Sequence, residues 1–218
     1  NLCVEETEIQ YTLIRSARKT LSLSVDREGG VVVRAPRGAS AREIAAFVQR
    51  HSRWIEKRRA ALAAAPVPDF TDGAILTLYG RRYTVAAGRT RIGGDTVYLP
   101  AEGRERALAA LLKRLAKDYM GNLTAIYAER YGFSYQSVRI TSARGRWGSC
   151  NANGAIAFSF RTAFLSEAQA RYVAVHELCH TRHLDHSPAF WREVEEIIPD
   201  CAAIRASLRA ASVVMTWL

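Results

Sequence analysis

Hydrophobic and polar residues alternate through much of the first hundred positions and then change to a helical rhythm. Leu21, Leu23 and Val25 alternate with polar neighbours, Asp26 to Gly30 supplies turn formers, and Val31 to Val33 resumes the apolar pattern, which predicts a hairpin. Ala41 to Ala64 predicts one helix, with Ile44, Phe47, Val48, Trp54 and Ile55 available for packing. Its Arg42, Arg50, Arg53, Lys57, Arg58 and Arg59 read as a solvated basic face. Ala65 to Gly73, which contains Pro66 and Pro68, reads as a linker. Two more hairpins are expected, turning at Gly80 and at Gly93-Gly94-Asp95.

Beyond residue 100 the period lengthens. Arg104 to Tyr131 predicts a long helix whose core stripe is Leu108, Leu111, Leu112, Leu115, Tyr119, Leu123 and Ile126. Ser137 to Thr141 and Ala155 to Phe160 predict strands, the second with Ile156, Phe158 and Phe160 on one side. A helical pattern through Tyr172, Val173, Val175, Leu178 and Cys179 follows. The expected class is α+β: a β-rich region over residues 1–100 with one helix, and a helical, metal-binding region over 101–218 with a small antiparallel sheet. A chain of 218 residues, 49% of them hydrophobic, suffices for one substantial core, so the two regions are expected to form one compact functional unit.

Four of the five histidines, His176, His180, His183 and His186, fall in this last helical stretch and just beyond it. The first two frame His176-Glu177-Leu178-Cys179-His180, an H-E-x-x-H pattern. Residues four apart on a helix lie about 6 Å apart along the axis and about 40° apart around it, so the imidazoles of His176 and His180 converge on one side. They are candidate metal ligands. Glu177, turned about 100° from His176, is placed to touch a metal-activated water, the post of a general base. For the third ligand, His183 on a continuing helix stands about 10.5 Å from His176, too far for a compact tetrahedral site. His186 fits better if the helix ends near Leu184 and the chain turns back. Pro188 suits the first position of a new helix, with Ser187 as its N-cap. His183 is then left to packing or to contact with a ligand.

Between the two strands lies Trp147-Gly148-Ser149-Cys150. Trp147 reads as a core residue and Gly148 as the permissive residue of a tight turn. Arg144 and Arg146 are candidate substrate-binding residues, able to steady a carbonyl or a phosphate. Cys150 is a further possible metal ligand, which would close the site into a four-coordinate structural one. Glu177 argues against closure, since a structural zinc has no use for an adjacent base. An open strand edge beside such a site suits an extended peptide held by backbone pairing.

These residues resemble the YgjP-like metallopeptidases, relatives of the SprT-like and WLM zinc proteases. The resemblance runs over nearly the whole chain and rests on Arg146-Trp147-Gly148-Ser149-Cys150, on Tyr172-Val173-Ala174-Val175-His176-Glu177-Leu178-Cys179-His180, and on His186-Ser187-Pro188-Ala189-Phe190-Trp191. Less specific marks are Val31 to Val33 leading to Ala35-Pro36-Arg37, and Trp54-Ile55-Glu56-Lys57. It implies a zincin-like catalytic half, zinc as cofactor, His176, His180 and His186 as ligands, Glu177 as catalytic base, and a peptide or protein substrate. The family usually has Asn where Asp185 and Ser159 stand, and often Pro where Ser166 stands. Metzincins share the ten-residue spacing from His176 to His186 but carry Gly where His183 stands, so this chain must turn without that glycine.

Composition changes the picture in two respects. With 31 basic against 21 acidic side chains the formal charge is +10 and the pI about 9.8, which favours acidic partners, a nucleic acid or nucleotide among them, on the basic surface. Cys3, Cys150, Cys179 and Cys201 form no C-x-x-C pair or dense disulfide framework, which fits a reducing cytoplasm. No apolar run approaches a membrane span, and residues 1–8 lack a signal-peptide pattern. The sequence therefore predicts a zinc-dependent hydrolase, foremost a metallopeptidase. The alternatives are a nucleotide phosphoanhydride hydrolase, disfavoured because the chain has no Gly-rich phosphate loop, and a basic nucleic-acid-binding module with a structural zinc.

Overall fold

The structure is a computed structural model that describes residues 9–26, 28–64 and 69–218. The Pro66 and Pro68 part of the expected linker lies outside the described residues. The chain divides into two compact units, Asn1–Val67 and Pro68–Leu218, so the division falls in that stretch and not near residue 100.

In the first unit, β1 (Tyr11–Ser16), β2 (Ser22–Val25) and β3 (Val31–Pro36) form a sheet of order β1-β3-β2. The expected hairpin is present, with Val25 opposite Val31, and β1 runs parallel to β3 on its other side. Alternation along β3 turns Val31, Val33 and Ala35 inward onto Ile44, Val48 and Ile55. The single helix expected over Ala41 to Ala64 is instead two, α1 (Ala41–Arg50) and α2 (Ser52–Ala63). The break is at His51, whose amide donates to Val48 at 3.0 Å in a tightened last turn and whose Nδ1 meets the Phe47 carbonyl at 2.7 Å. Ser40 and Glu43 close the start of α1 as a capping box. Trp54 is largely exposed, so Ile55 alone of that pair packs inward.

The second unit opens with β4 (Ile75–Leu78), β5 (Arg81–Ala87), β6 (Arg91–Gly93) and β7 (Thr96–Leu99), in the order β4-β5-β7-β6. Both expected hairpins occur, and β5 runs parallel to β7. Leu76, Leu78, Val85, Val97 and Leu99 share a core with Leu108, Leu112, Ile156, Phe158 and Val175. That shared core is why these strands belong with the C-terminal helices, whereas the sequence grouped them with the residues before them. The long helix α3 spans Arg104–Tyr131 as expected, and Gly132, at φ 66°, ends it in the left-handed conformation with its amide on Ala128.

The buried stripe of α3 is rotated from the expected one. Leu108, Leu111 and Leu112 are buried, but the stripe continues through Ala116, Met120, Thr124 and Ala128, while Leu115, Tyr119 and Leu123 flank it and Ile126 is exposed. Small residues let the neighbouring elements approach closely, and Thr124 satisfies its hydroxyl on the Met120 carbonyl at 2.6 Å.

β8 (Ser137–Thr141), β9 (Gly148–Cys150) and β10 (Ala155–Ser159) make a sheet of order β8-β10-β9. It is mixed, not antiparallel as expected: β9 takes the return direction on one edge of β10, leaving β8 and β10 to run the same way. Phe160 leaves the strand for a 3-10 turn, Phe160–Phe164. Three helices follow: α4 (Glu167–Cys179), α5 (Pro188–Ile197) and α6 (Cys201–Ala211), then a 3-10 turn at Ser212–Thr216. The molecule is thus α+β, and no helix of the described residues is long and apolar enough to cross a membrane.

The rotated stripe predicts unequal costs on one helix. Leu112→Ala, at a fully buried position, should cost about 2–5 kcal/mol, whereas Ile126→Ala should stay within about 0.5 kcal/mol. Denaturant unfolding of the two variants checks this, and equal costs would restore the stripe expected from the sequence.

Candidate metal centre

The site is built on the end of α4. Ser166 caps the helix start, accepting from the Gln169 amide at 3.3 Å while Gln169 reaches back to the Ser166 amide at 3.0 Å. Most of the helix is buried, including Ala174, Val175 and Leu178, so its register against the core is fixed. It ends at Cys179, with His180 as its cap, several residues before the end expected near Leu184. Amides of Thr181, Arg182 and His183 bond back to Leu178 and Cys179 in a closing turn that needs no glycine at position 183. Asp185 then accepts from the Ser187 amide at 3.1 Å, and Ser187 caps α5 by accepting from the Phe190 amide at 3.4 Å, with Pro188 in its first turn. The expected start of the second helix is therefore present.

This fold-back carries His186 to the end of α4. His176, His180 and His186 each offer a nitrogen, and the three lie within 4.8 Å of one another. The Nε2 atoms of His176 and His186 are 3.3 Å apart. His180 directs its Nδ1 at the His183 carbonyl, at 2.9 Å, so its Nε2 faces the others unprotonated. The Tyr172 hydroxyl stands 3.5 Å from the Nδ1 of His176. Phe190, fully buried, is the floor: its ring centroid is 4.9 Å from His176, 4.5 Å from His180 and 4.9 Å from His186. Burial and the neighbouring imidazoles push the His176 pKa down to about 3, and burial lowers that of His180 as well. Neutral, converging imidazoles are the donor set that zinc takes.

The remaining histidine stays out of this group. His183 contributes its carbonyl to His180, and its Nε2 stands 3.2 Å from Glu193, which also pairs with Arg182. Cys150 is not in the group among the described residues; its thiol, in β9, faces the Asn151 carbonyl at 3.4 Å. Cys150, Cys179 and Cys201 are free thiols.

Glu177 is 5% exposed, and burial pushes its pKa up to about 8, opposed by the Arg146 charge. Its side chain lies against Gly148, where a Cβ would stand 2.6 Å from Oε1. Gly148 therefore sits in a strand and makes room for Glu177, and is not the tight-turn residue expected. Glu177, His176 and His186 line one cavity of about 660 Å³ together with Arg146, Trp147, Tyr172 and Trp191. Trp147 packs against the core while also walling this cavity. Arg146 is at the site, but Arg144 is not among its walls: its guanidinium donates to the Leu218 carbonyl at 3.1 Å, beside the buried Arg161 that holds the same carbonyl. Phe190 and Trp191 went unassigned in the sequence. Their signal was the Ser187 cap, which sets them three and four residues into a helix directed at the histidines.

The YgjP-like metallopeptidase domain matches this chain over residues 19–211 of 218. The protein belongs to that family. Metallopeptidase membership agrees with the histidine group, and makes a peptide or protein the substrate class of the family. Comparison with curated proteins finds no match. Among solved structures, the chain is similar to the metallopeptidase zymogen of Pyrococcus abyssi abylysin, at 24% identity and a TM-score of 0.39 over 42% of this chain and 93% of that one.

The Glu177–Gly148 contact predicts that Gly148→Ala destabilises the protein by about 1–3 kcal/mol through overpacking. Gly145→Ala, in open space on the same approach to β9, should stay within about 0.5 kcal/mol. Thermal unfolding distinguishes them, and an unperturbed Gly148→Ala would mean Glu177 is free to swing aside.

Proposed function

We propose that this member of the family is a zinc-dependent peptidase in which His176, His180 and His186 hold the ion and Glu177 is the general base. The observation that carries this reading is a three-histidine donor set, with no fourth protein donor among the described residues, two members of which line one cavity with a buried carboxyl group. Three protein ligands and an open position are the pattern of a catalytic zinc, whereas structural sites are closed by four. When bound, zinc supplies a Lewis acid for the scissile carbonyl and brings the pKa of a water toward about 7.

The chain's own groups do the rest. The His183 carbonyl holds the His180 tautomer, and Phe190 fixes the planes of all three imidazoles. Glu177 takes a proton from the attacking water and returns it to the leaving amine. Its burial beside the histidines, on a wall shared with Arg146, places it for both transfers. Arg146, on the same wall, steadies the substrate carbonyl. β9 is an edge strand of its sheet and begins at Gly148 beside Glu177, so an extended peptide adds to that edge with its scissile bond over the site.

Metal content and peptide hydrolysis measured together test this. About one zinc per chain is expected. Glu177→Gln should keep zinc and fold while turnover falls by roughly 10²-fold or more. A metal-free wild type from zinc-replete medium, or a Glu177→Gln variant as active as wild type, would overturn the reading, as would nucleotide hydrolysis with no cleavage of peptides.

The ligand assignment has its own check. His186→Ala should weaken zinc binding far more than His183→Ala, which removes an imidazole but leaves the carbonyl that His180 uses. Competition with a chelator ranks the two, and the reverse order would make His183 the third ligand.

A further inference from the structure

One wall of the site cavity takes no part in metal or proton chemistry. Arg205, Leu208, Arg209 and Ser212 recur at helical intervals, so one face of α6 and its end line the same cavity as His176 and Glu177. Leu208 is buried and anchors this face, and the exposed Arg205 and Arg209 flank it. The Arg205 guanidinium lies over the Trp191 ring at 4.6 Å, and His186 stacks on that same ring at 5.6 Å. With both against one indole, they are at most about 10 Å apart; an extended peptide rises about 3.3 Å per residue, so a group on Arg205 lies within about three residues of the bond being cut.

Neither arginine forms an ion pair with a described carboxylate. Glu195 borders Arg205 in an adjoining hollow but stands beyond ion-pair distance. Arg146 adds a third guanidinium, and the only carboxyl among the described lining residues is Glu177. Trp147, Trp191 and Leu208 make much of the wall apolar, which strengthens the field of cations set in it.

The geometry points to an anion subsite at Arg205 and Arg209 that selects peptides carrying a carboxylate, on an acidic side chain or a free C-terminus, within three residues of the scissile bond. It rests on the peptidase reading for its substrate and extends it. Arginines four residues apart leave the helix about 6 Å apart along its axis, close enough for their long side chains to reach one carboxylate from both sides. A nucleic-acid backbone calls for cations spread along an open face, and these are gathered inside one cleft beside His176 and Glu177.

Binding to the Glu177→Gln protein, which holds peptide without cutting it, tests the subsite. The probes are end-blocked peptides that differ only by Glu or Gln at one position, and a neutral peptide with a free or an amidated C-terminus. Fluorescence anisotropy at low salt should show about tenfold tighter binding of the Glu or free-carboxylate member, which also tells the two sources apart. In the background of Arg205→Gln and Arg209→Gln the ratio should fall toward one, and Arg205→Lys with Arg209→Lys should restore part of it. Circular dichroism and zinc content confirm that each variant is intact. Equal binding of both members of every pair, or a preference that survives both substitutions, would overturn the subsite. So would substitutions that abolish binding of a single-stranded oligonucleotide while the peptide ratio holds. A preserved peptide preference with no hydrolysis by wild type would support the subsite and reject the peptidase reading.

Discussion

Three imidazoles crowded onto one buried phenylalanine are the constraint around which the second unit is arranged. Packed within 4.8 Å and partly shielded from water, these rings cannot all carry protons, and His176 accordingly holds its pKa near 3. Crowding of this kind has an energetic cost unless each ring is satisfied in its neutral form. The structure meets that cost through the Phe190 floor, the His183 carbonyl on His180 and the Tyr172 hydroxyl beside His176. Phe190 comes from the start of α5, the His183 carbonyl from the turn that ends α4 early, and Tyr172 from α4 itself, one turn before His176.

The second constraint is the close approach of β9 to α4. A backbone without a Cβ at Gly148 lets the Glu177 side chain lie flat against the strand, buried yet opening to the cavity. This contact sets which way the carboxyl points and brings Arg146 and Trp147, the residues just before Gly148, to the same wall. Arg144, two residues further back, has already turned toward the Leu218 carbonyl. Two residues of the approach to β9 therefore separate an arginine at the site from one that holds the chain.

At the three positions where the resemblance leads one to expect other residues, the side chain present supplies an oxygen that does local work. Asp185 accepts from the Ser187 amide, Ser166 caps α4, and Ser159 donates to the Ala143 carbonyl at 2.8 Å while accepting from the Arg161 amide. Turns and caps need an acceptor at a given point more than they need one residue type, and these three side chains meet that need.

The sequence by itself determined the features that depend on near neighbours along the chain. The His176 and His180 pairing, the Ser187 cap, the hairpins at Gly80 and Gly94, and the limits of α3 all follow from local periodicity and local hydrogen bonding. Tertiary structure decided what depends on distant partners. It buried Ala116, Met120, Thr124 and Ala128 where the bulkier Leu115, Tyr119 and Ile126 had looked like core, because close-packed neighbours left room only for small or flexible side chains. It gave Gly148 its purpose through Glu177, twenty-nine residues away, and it set Arg205 and Arg209 in the same cavity as His176 and His186. Such placements are set by packing between elements, and no period in the chain encodes them.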